Sequence, residues 1–203
     1  DEFASQAKKS AIWTSFTNLI LSIYLPFNFD KTVPHFQFVN SFEWFNNDNL
    51  KLTLGVDGIS MPFVVLSTFL IFVCIFFIYP QSKKNMKMYL ASFLLMESFL
   101  IGTFSAMDLF SFYIFFESIL IPMYLIIGFW GGDRRVYSAY KFFLYTLLGS
   151  VLMLIAIIFL YQEFGTTSIA RLLDYTLPFY IQVWLWLAFF ASLCYLFLRS
   201  FLP

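Results

Sequence analysis

Six stretches of the chain, 11–29, 59–79, 86–107, 109–130, 139–161 and 177–198, are nearly continuous runs of aliphatic and aromatic residues. A helix rises 1.5 Å per residue and the hydrocarbon layer is about 30 Å thick, so about 20 mostly apolar residues cross a bilayer. Each run is close to that length. Membrane β-strands would alternate apolar and polar positions with period two, which these runs do not. The pattern predicts an all-α fold, a polytopic membrane helix bundle with about six transmembrane helices. No internal repeat or low-complexity linker divides it, so residues 1–203 read as a single membrane domain.

Composition agrees with that reading. Hydrophobic residues make up 61% of the chain and charged residues 12%, against roughly half apolar in soluble domains. Thirty Phe suit lipid-facing and helix-packing surface. The formal net charge is zero, and the basic residues sit in short loops; nucleic acid is therefore excluded as a partner and lipid is implied. Cys74 and Cys194 lie far apart inside apolar runs, with no CxxC or Cys/His spacing, so neither a metal nor a disulfide is expected. The opening DEFASQAKKS lacks the apolar core and cleavage site of a signal peptide. Without Met at position 1, the start reads as processed or truncated.

Six crossings place Lys8, Lys9, Lys83, Lys84, Lys87, Arg134, Arg135 and Arg199 on one side, against Lys31, Lys51 and Arg171 on the other. The second side also holds Asp30, Glu43, Asp48, Asp57, Asp108, Glu163 and Asp174. The positive-inside rule turns the first side toward a cytoplasm or a mitochondrial matrix. The longest loop, from 28 to 58, falls on the opposite face; its His35 reads as solvated and receives no role.

Acids inside such a span are informative. An ionised Asp at mid-membrane costs about 2.5–3.5 kcal/mol on insertion scales, and Glu is similar, so an intramembrane acid faces a partner or a wet path. Glu117 is the deepest. Tyr113, four residues before it, and Tyr124, seven after, share its helix face. Pro122 cannot donate a backbone hydrogen bond and frees the carbonyl of Ser118, which permits a bend or water entry. An acid between desolvation and a movable cation gains and loses its proton as the cation moves. Glu117 is therefore the candidate proton-translocation residue. Its alternative is a structural carboxylate bonded to a neighbouring helix.

In the fifth span, Lys141, Tyr145 and Gly149 recur every fourth residue. Lys141 reads either as a proton-relay cation or as a lysine snorkelling to the headgroups. Glu97 reads as a further proton-path or a structural acid. Ser98, Gly102 and Ser105 beside it suggest close helix packing. Asp57, before an apolar run, reads as an N-cap.

The run FYIFFESILIPMYLIIGFWGGDRRVYSAYKFFLYTLLGSVLMLIAI resembles the subunit 4 family of proton-pumping NADH:ubiquinone oxidoreductase, respiratory complex I, in its mitochondrial and alphaproteobacterial forms. The likeness extends back through LGVDGISMPFVVLSTFL and forward to WLAFFAS. It implies an antiporter-like membrane subunit in which Glu117 is the conduction-site carboxylate, Lys141 matches the family lysine in KFFLYT, and Glu117 pairs with a lysine on a later, broken helix. It also implies that FMN, iron–sulfur clusters and ubiquinone are bound by other subunits, with no cofactor in this chain. The partners implied are the other membrane-arm subunits, in a mitochondrial inner membrane or a bacterial plasma membrane.

Two departures qualify the likeness. The family's first helix and its many later helices have no counterpart here, and after Ser192 the chain reads LCYLFLRSFLP, with Leu196 near the expected place of the partner lysine. That lysine is therefore expected on a separate chain or a continuation. Two other functions remain open: a subunit of a multi-subunit cation/proton antiporter, and a non-conducting structural subunit of complex I.

Overall fold

The computed structural model describes residues 2–30, 32, 33, 35–43, 51–78 and 85–198. Helix α1 covers Glu2–Asn28 and is followed by an antiparallel hairpin, β1 (Gln37–Glu43) and β2 (Lys51–Val56). Then come α2 (Ser60–Phe77), α3 (Met86–Ser105), α4 (Leu109–Trp130), α5 (Arg135–Phe164), the short α6 (Ile169–Leu172) and α7 (Phe179–Leu198). All six apolar runs form helices. Helices α2 to α5 are long and apolar enough to cross a membrane by length and composition, and α7 contributes a shorter apolar stretch, Phe179–Phe190. Helix α1 has the length, but Ser10, Thr14, Ser15, Thr17, Asn18 and Ser22 interrupt its apolar surface.

The hairpin is an addition to the all-helical expectation. Gln37 pairs with Val56 and Phe42 with Leu52, with an irregularity between Gln37 and Asn40 where Phe38 has φ 56°. Each strand has only six or seven residues, too few for their alternation to stand out from a polar loop.

Side-chain and backbone contacts sort the helix ends into two groups. The Lys8 ammonium donates to the carbonyl of Ile78 at 2.5 Å, joining the start of α1 to the end of α2. Tyr89 meets Trp130 with ring centroids 4.8 Å apart, joining the start of α3 to the end of α4. At the opposite end the Met107 amide donates to Thr53 O at 3.0 Å, the Leu109 amide to Thr167 O at 3.0 Å, and the Ile169 amide to Met107 O at 3.1 Å. The hairpin, the α3–α4 turn and the segment before α6 are thereby tied together. Among the described residues, Lys8, Lys87, Arg134 and Arg135 belong to the first end, and Asp57, Asp108 and Glu163 to the second. Lys31, Asp48, Lys83, Lys84 and Arg199 lie outside the described residues, as do the side chains of Glu43, Lys51, Cys194 and Leu196.

Local chemistry fixes the helix starts at the second end. Asp57 Oδ1 accepts from the Ser60 amide at 2.6 Å while Ser60 Oγ accepts from the Asp57 amide at 3.0 Å, a reciprocal cap on α2. The expected capping role of Asp57 is observed. Asp108 Oδ1 accepts from the Ser111 amide at 2.8 Å, and its second oxygen accepts from the Ser111 hydroxyl, capping α4. In the loop after α1, the Thr32 hydroxyl and amide both donate to the Asp30 carboxylate and hold it below the usual carboxylate range.

Packing is closest where residues are small. Ala11, Ile71, Ile75, Met86 and Leu90 form a buried core joining α1, α2 and α3. Gly102 of α3 faces the Phe115 ring of α4 so closely that a Cβ would come within 2.6 Å of it. Of the small residues expected to pack together, Gly102 and Ser105 are buried whereas Ser98 is exposed.

Candidate functional site in the seam between α4 and α5

Helix α4 turns the face bearing Tyr113, Glu117 and Tyr124 toward α5. The Tyr113 phenol interacts with the Glu117 carboxylate and with the Ser150 hydroxyl of α5. One turn of helix separates Tyr113 from Glu117, so a side chain leaning toward the helix N-terminus brings carboxylate and phenol together. At the other end of the stripe, Tyr124 meets Tyr140 and Phe143 of α5 edge to face, with centroids 5.7 Å apart in both pairs. The Tyr124 and Tyr140 hydroxyls interact as well. Tyr140 was not singled out in the sequence. Its spacing of one from Lys141 sets it on the adjacent face, where a search along every fourth residue does not look.

Glu117 is half-buried, and its Oε1 is enclosed without a hydrogen-bond partner. Among the described residues it makes no ion pair. Pro122 is fully buried within an unbroken α4. The Ser118 hydroxyl donates to the Ile114 carbonyl at 2.7 Å, one turn back.

Lys141 stands apart from Glu117. Together with Tyr137, Tyr140, Leu144, Tyr145 and Leu148 it lines a groove of about 450 Å3 on the outer face of α5, and its ammonium lies 5.8 Å from the Tyr137 ring centroid. The expected shared face of Lys141, Tyr145 and Gly149 is therefore split. Lys141 and Tyr145 line the groove, whereas Gly149 is buried. A four-residue step overshoots the 3.6-residue turn by about 40°, so eight residues rotate a side chain off the starting face.

Glu97 belongs to a different environment. It is fully buried on α3, and the Asn18 side chain of α1 approaches it without closing a well-formed hydrogen bond to either carboxylate oxygen. Among the described residues no group of three or more His, Cys, Asp or Glu side chains is arranged to hold a metal. Cys74 is free and exposed.

Residues 106–201, which include the whole α4–α5 seam, match the family model described as NADH:quinone oxidoreductase/Mrp antiporter, TM. That stretch, a little under half of the chain, is similar to this membrane family. It is 45% identical over 202 residues to NADH-quinone oxidoreductase subunit M of Rickettsia conorii, covering 94% of this chain and 41% of the relative. It is 44% identical over 182 residues to NADH-ubiquinone oxidoreductase chain 4 of Marchantia polymorpha, covering 89% of this chain and 37% of the relative. A chain of respiratory complex I from Thermus thermophilus superposes with a TM-score of 0.80 at 28% identity, over 91% of this chain and 38% of that one. The chain thus spans about two fifths of the length of these relatives. Glu97 lies before the matched region, and Glu117, Lys141 and the tyrosines lie within it.

Proposed function

We propose that this chain forms part of the proton-translocating membrane arm of an NADH:quinone oxidoreductase, with Glu117 as its proton-carrying carboxylate. The observation that carries the reading is Glu117 itself, an intramembrane acid with an enclosed, unpartnered oxygen beside Tyr113, in a chain 45% identical to subunit M of such an enzyme. NADH oxidation and quinone reduction belong to other subunits, and this chain couples to them through proton movement. It works in a mitochondrial inner membrane or a bacterial plasma membrane, with the Lys8 and Arg134 end toward the matrix or cytoplasm.

Lys141 and its groove fit the same scheme. Tyr140 lines the groove and also meets Tyr124, so a chain of polar groups runs from Lys141 through two phenols toward Glu117. Seven residues, about 10.5 Å along the axis, separate Tyr124 from Glu117. Glu117 and Tyr124 both lean toward the N-terminus of α4, so the gap remains, and water beside the Ser118 carbonyl freed by Pro122 spans it. The cation that Glu117 needs comes from a lysine on another polypeptide or on a continuation of this one.

The deciding experiment is Glu117→Gln in the assembled enzyme, reconstituted into vesicles. The amide keeps the shape and removes the exchangeable proton, so pumping and coupled quinone reduction fall while assembly persists. Full pumping in the assembled variant sinks the reading and leaves a structural subunit. Cation/proton exchange activity without associated quinone reduction points instead to the antiporter branch of the same family.

A further inference from the structure

We propose that Glu97 is a second intramembrane proton-binding site, reached from the acidic end of the bundle through the hydroxyl pair Ser22–Thr68. Glu97 is fully buried between helices and has two oxygens without a hydrogen-bond partner. The Asn18 side chain of α1 approaches it without closing a well-formed hydrogen bond to either oxygen, which leaves the carboxylate underserved for a buried charge. Ser15, Asn18 and Ser22 follow one another at spacings of three and four along one face of α1, and Ser15 and Ser22 are buried, at 0% and 5% exposure. Ser22 continues the row onto α2, where its hydroxyl lies 2.7 Å from that of Thr68, itself at 0% exposure.

Helices α1, α2 and α3 present no charged partner to Glu97 among the described residues. Lys8 is bonded to the Ile78 carbonyl at the opposite end of α2 from the Asp57 cap. An uncompensated buried carboxylate costs several kcal/mol, and a bound proton removes that charge without a counter-ion. The proton needs a route. Asn18 and Ser22 are one turn apart, about 6 Å along the axis, and a water between them, held by the Asn18 amide, is the donor to Glu97, since the amide itself does not relay a proton. The Ser22 and Thr68 hydroxyls also reach the Leu19 and Val65 carbonyls of their own helices, at 2.8 and 2.9 Å, so each turns its single proton from that carbonyl to its neighbour as a proton passes. A proton arriving from water at the acidic end joins one oxygen as that oxygen releases its own proton to the next, and the last transfer delivers a proton to Glu97 with no net change in the hydroxyls. The site lies on the α1–α2 side of α3, whereas Glu117 faces α5. It stands whether or not the chain pumps.

Infrared difference spectroscopy of the chain in its native membrane assembly tests both parts. A protonated-carboxyl C=O band that shifts in D2O is expected to vanish in Glu97→Gln and persist in Glu117→Gln. Where Glu97→Gln disturbs assembly, Glu97→Asp serves instead and moves the same band. Survival of every such band in the Glu97 variants, or loss of an ionised-carboxylate band in its place, overturns the site. The paired substitution Ser22→Ala with Thr68→Val is expected to keep the band but slow its hydrogen–deuterium exchange about tenfold, equivalent to about 1.4 kcal/mol in the barrier. Unchanged exchange in that variant overturns the route.

Discussion

Tyr124 of α4 and Tyr140 of α5 meet edge to face, their ring centroids 5.7 Å apart and their planes at 73°. The pair joins the stripe that carries Glu117 to the groove that carries Lys141. Packing and chemistry are separable here. An edge-to-face pair contributes about 0.5–1.5 kcal/mol beyond buried area, so Tyr140→Ala is expected to lower the thermal stability of the assembled protein, whereas Tyr140→Phe, which loses only the hydroxyl contact with Tyr124, lowers it less. Tyr140→Phe still removes a hydroxyl from the row and is expected to reduce proton pumping. Equal stability for the Ala and Phe variants removes the packing role, and full pumping by the Phe variant removes the hydroxyl from the path.

Gly102 and Phe115 fix how closely α3 approaches α4. A Cβ at Gly102 would lie 2.6 Å from the ring, nearer than unbonded carbons sit, so the ring or the helix must shift. Overpacking of this kind costs about 1–3 kcal/mol. Gly102→Ala is expected to lower thermal stability by that amount, and adding Phe115→Leu is expected to recover most of it. A double variant no more stable than Gly102→Ala alone would show that Phe115 is not what limits the contact.

How much of this was legible in the sequence follows from the range over which each signal acts. Helices α2 to α5 were legible because bilayer thickness sets their length and apolar side chains fill them, whereas the serines and threonines of α1 and the shorter apolar stretch of α7 make those two fainter signals. The stripe of Tyr113, Glu117 and Tyr124 was legible because one helix face is a local property. Its destination was not. Ser150, Tyr140 and Phe143 lie on another helix, and only packing selects which faces meet. The cross-link of Thr53, Met107, Thr167 and Ile169 was invisible for the same reason, since its hydrogen bonds use backbone groups that carry no residue signature. Asp57 was read as a cap, whereas Asp108 was counted only as a loop acid. Both cap helices through the serine three residues on, which the spacing alone could have revealed.

Asp108 is 5% exposed and holds Ser111 by both its amide and its hydroxyl. It starts the helix that carries Glu117, beside the backbone links to β2 and to the segment before α6. Loss of an N-cap costs about 0.5–2 kcal/mol, and here the Ser111 groups would also be left inside the fold. Asp108→Ala is expected to destabilise the assembly toward the upper part of that range, and Asp108→Asn, which still accepts from the Ser111 amide, by less. Thermal unfolding of the two variants ranks them. The reverse order would show that charge on Asp108 matters more than its capping geometry.

The last expectation concerns the cation for Glu117. Among the described residues the carboxylate makes no ion pair, Lys141 lines a groove on the outer face of α5, and Oε1 of Glu117 is enclosed. Leaving one member of a buried ion pair without its partner costs about 3–5 kcal/mol, and the seam offers only a phenol and neutral hydroxyls to offset it. The relatives are more than twice as long as this chain, which leaves ample sequence to supply a cation. In the native assembly a lysine is expected within salt-bridge or one-water reach of Glu117, on a helix interrupted near the bilayer midplane where freed backbone groups hold water. Its removal should reproduce the Glu117→Gln phenotype, and the two losses together should cost little more than either alone, because a pair that acts as a unit is not additive. A structure of the whole assembly with Glu117 packed against apolar groups, and no lysine or water beside it, would leave the chain with the fold of the Thermus thermophilus complex I chain and without proton chemistry at Glu117.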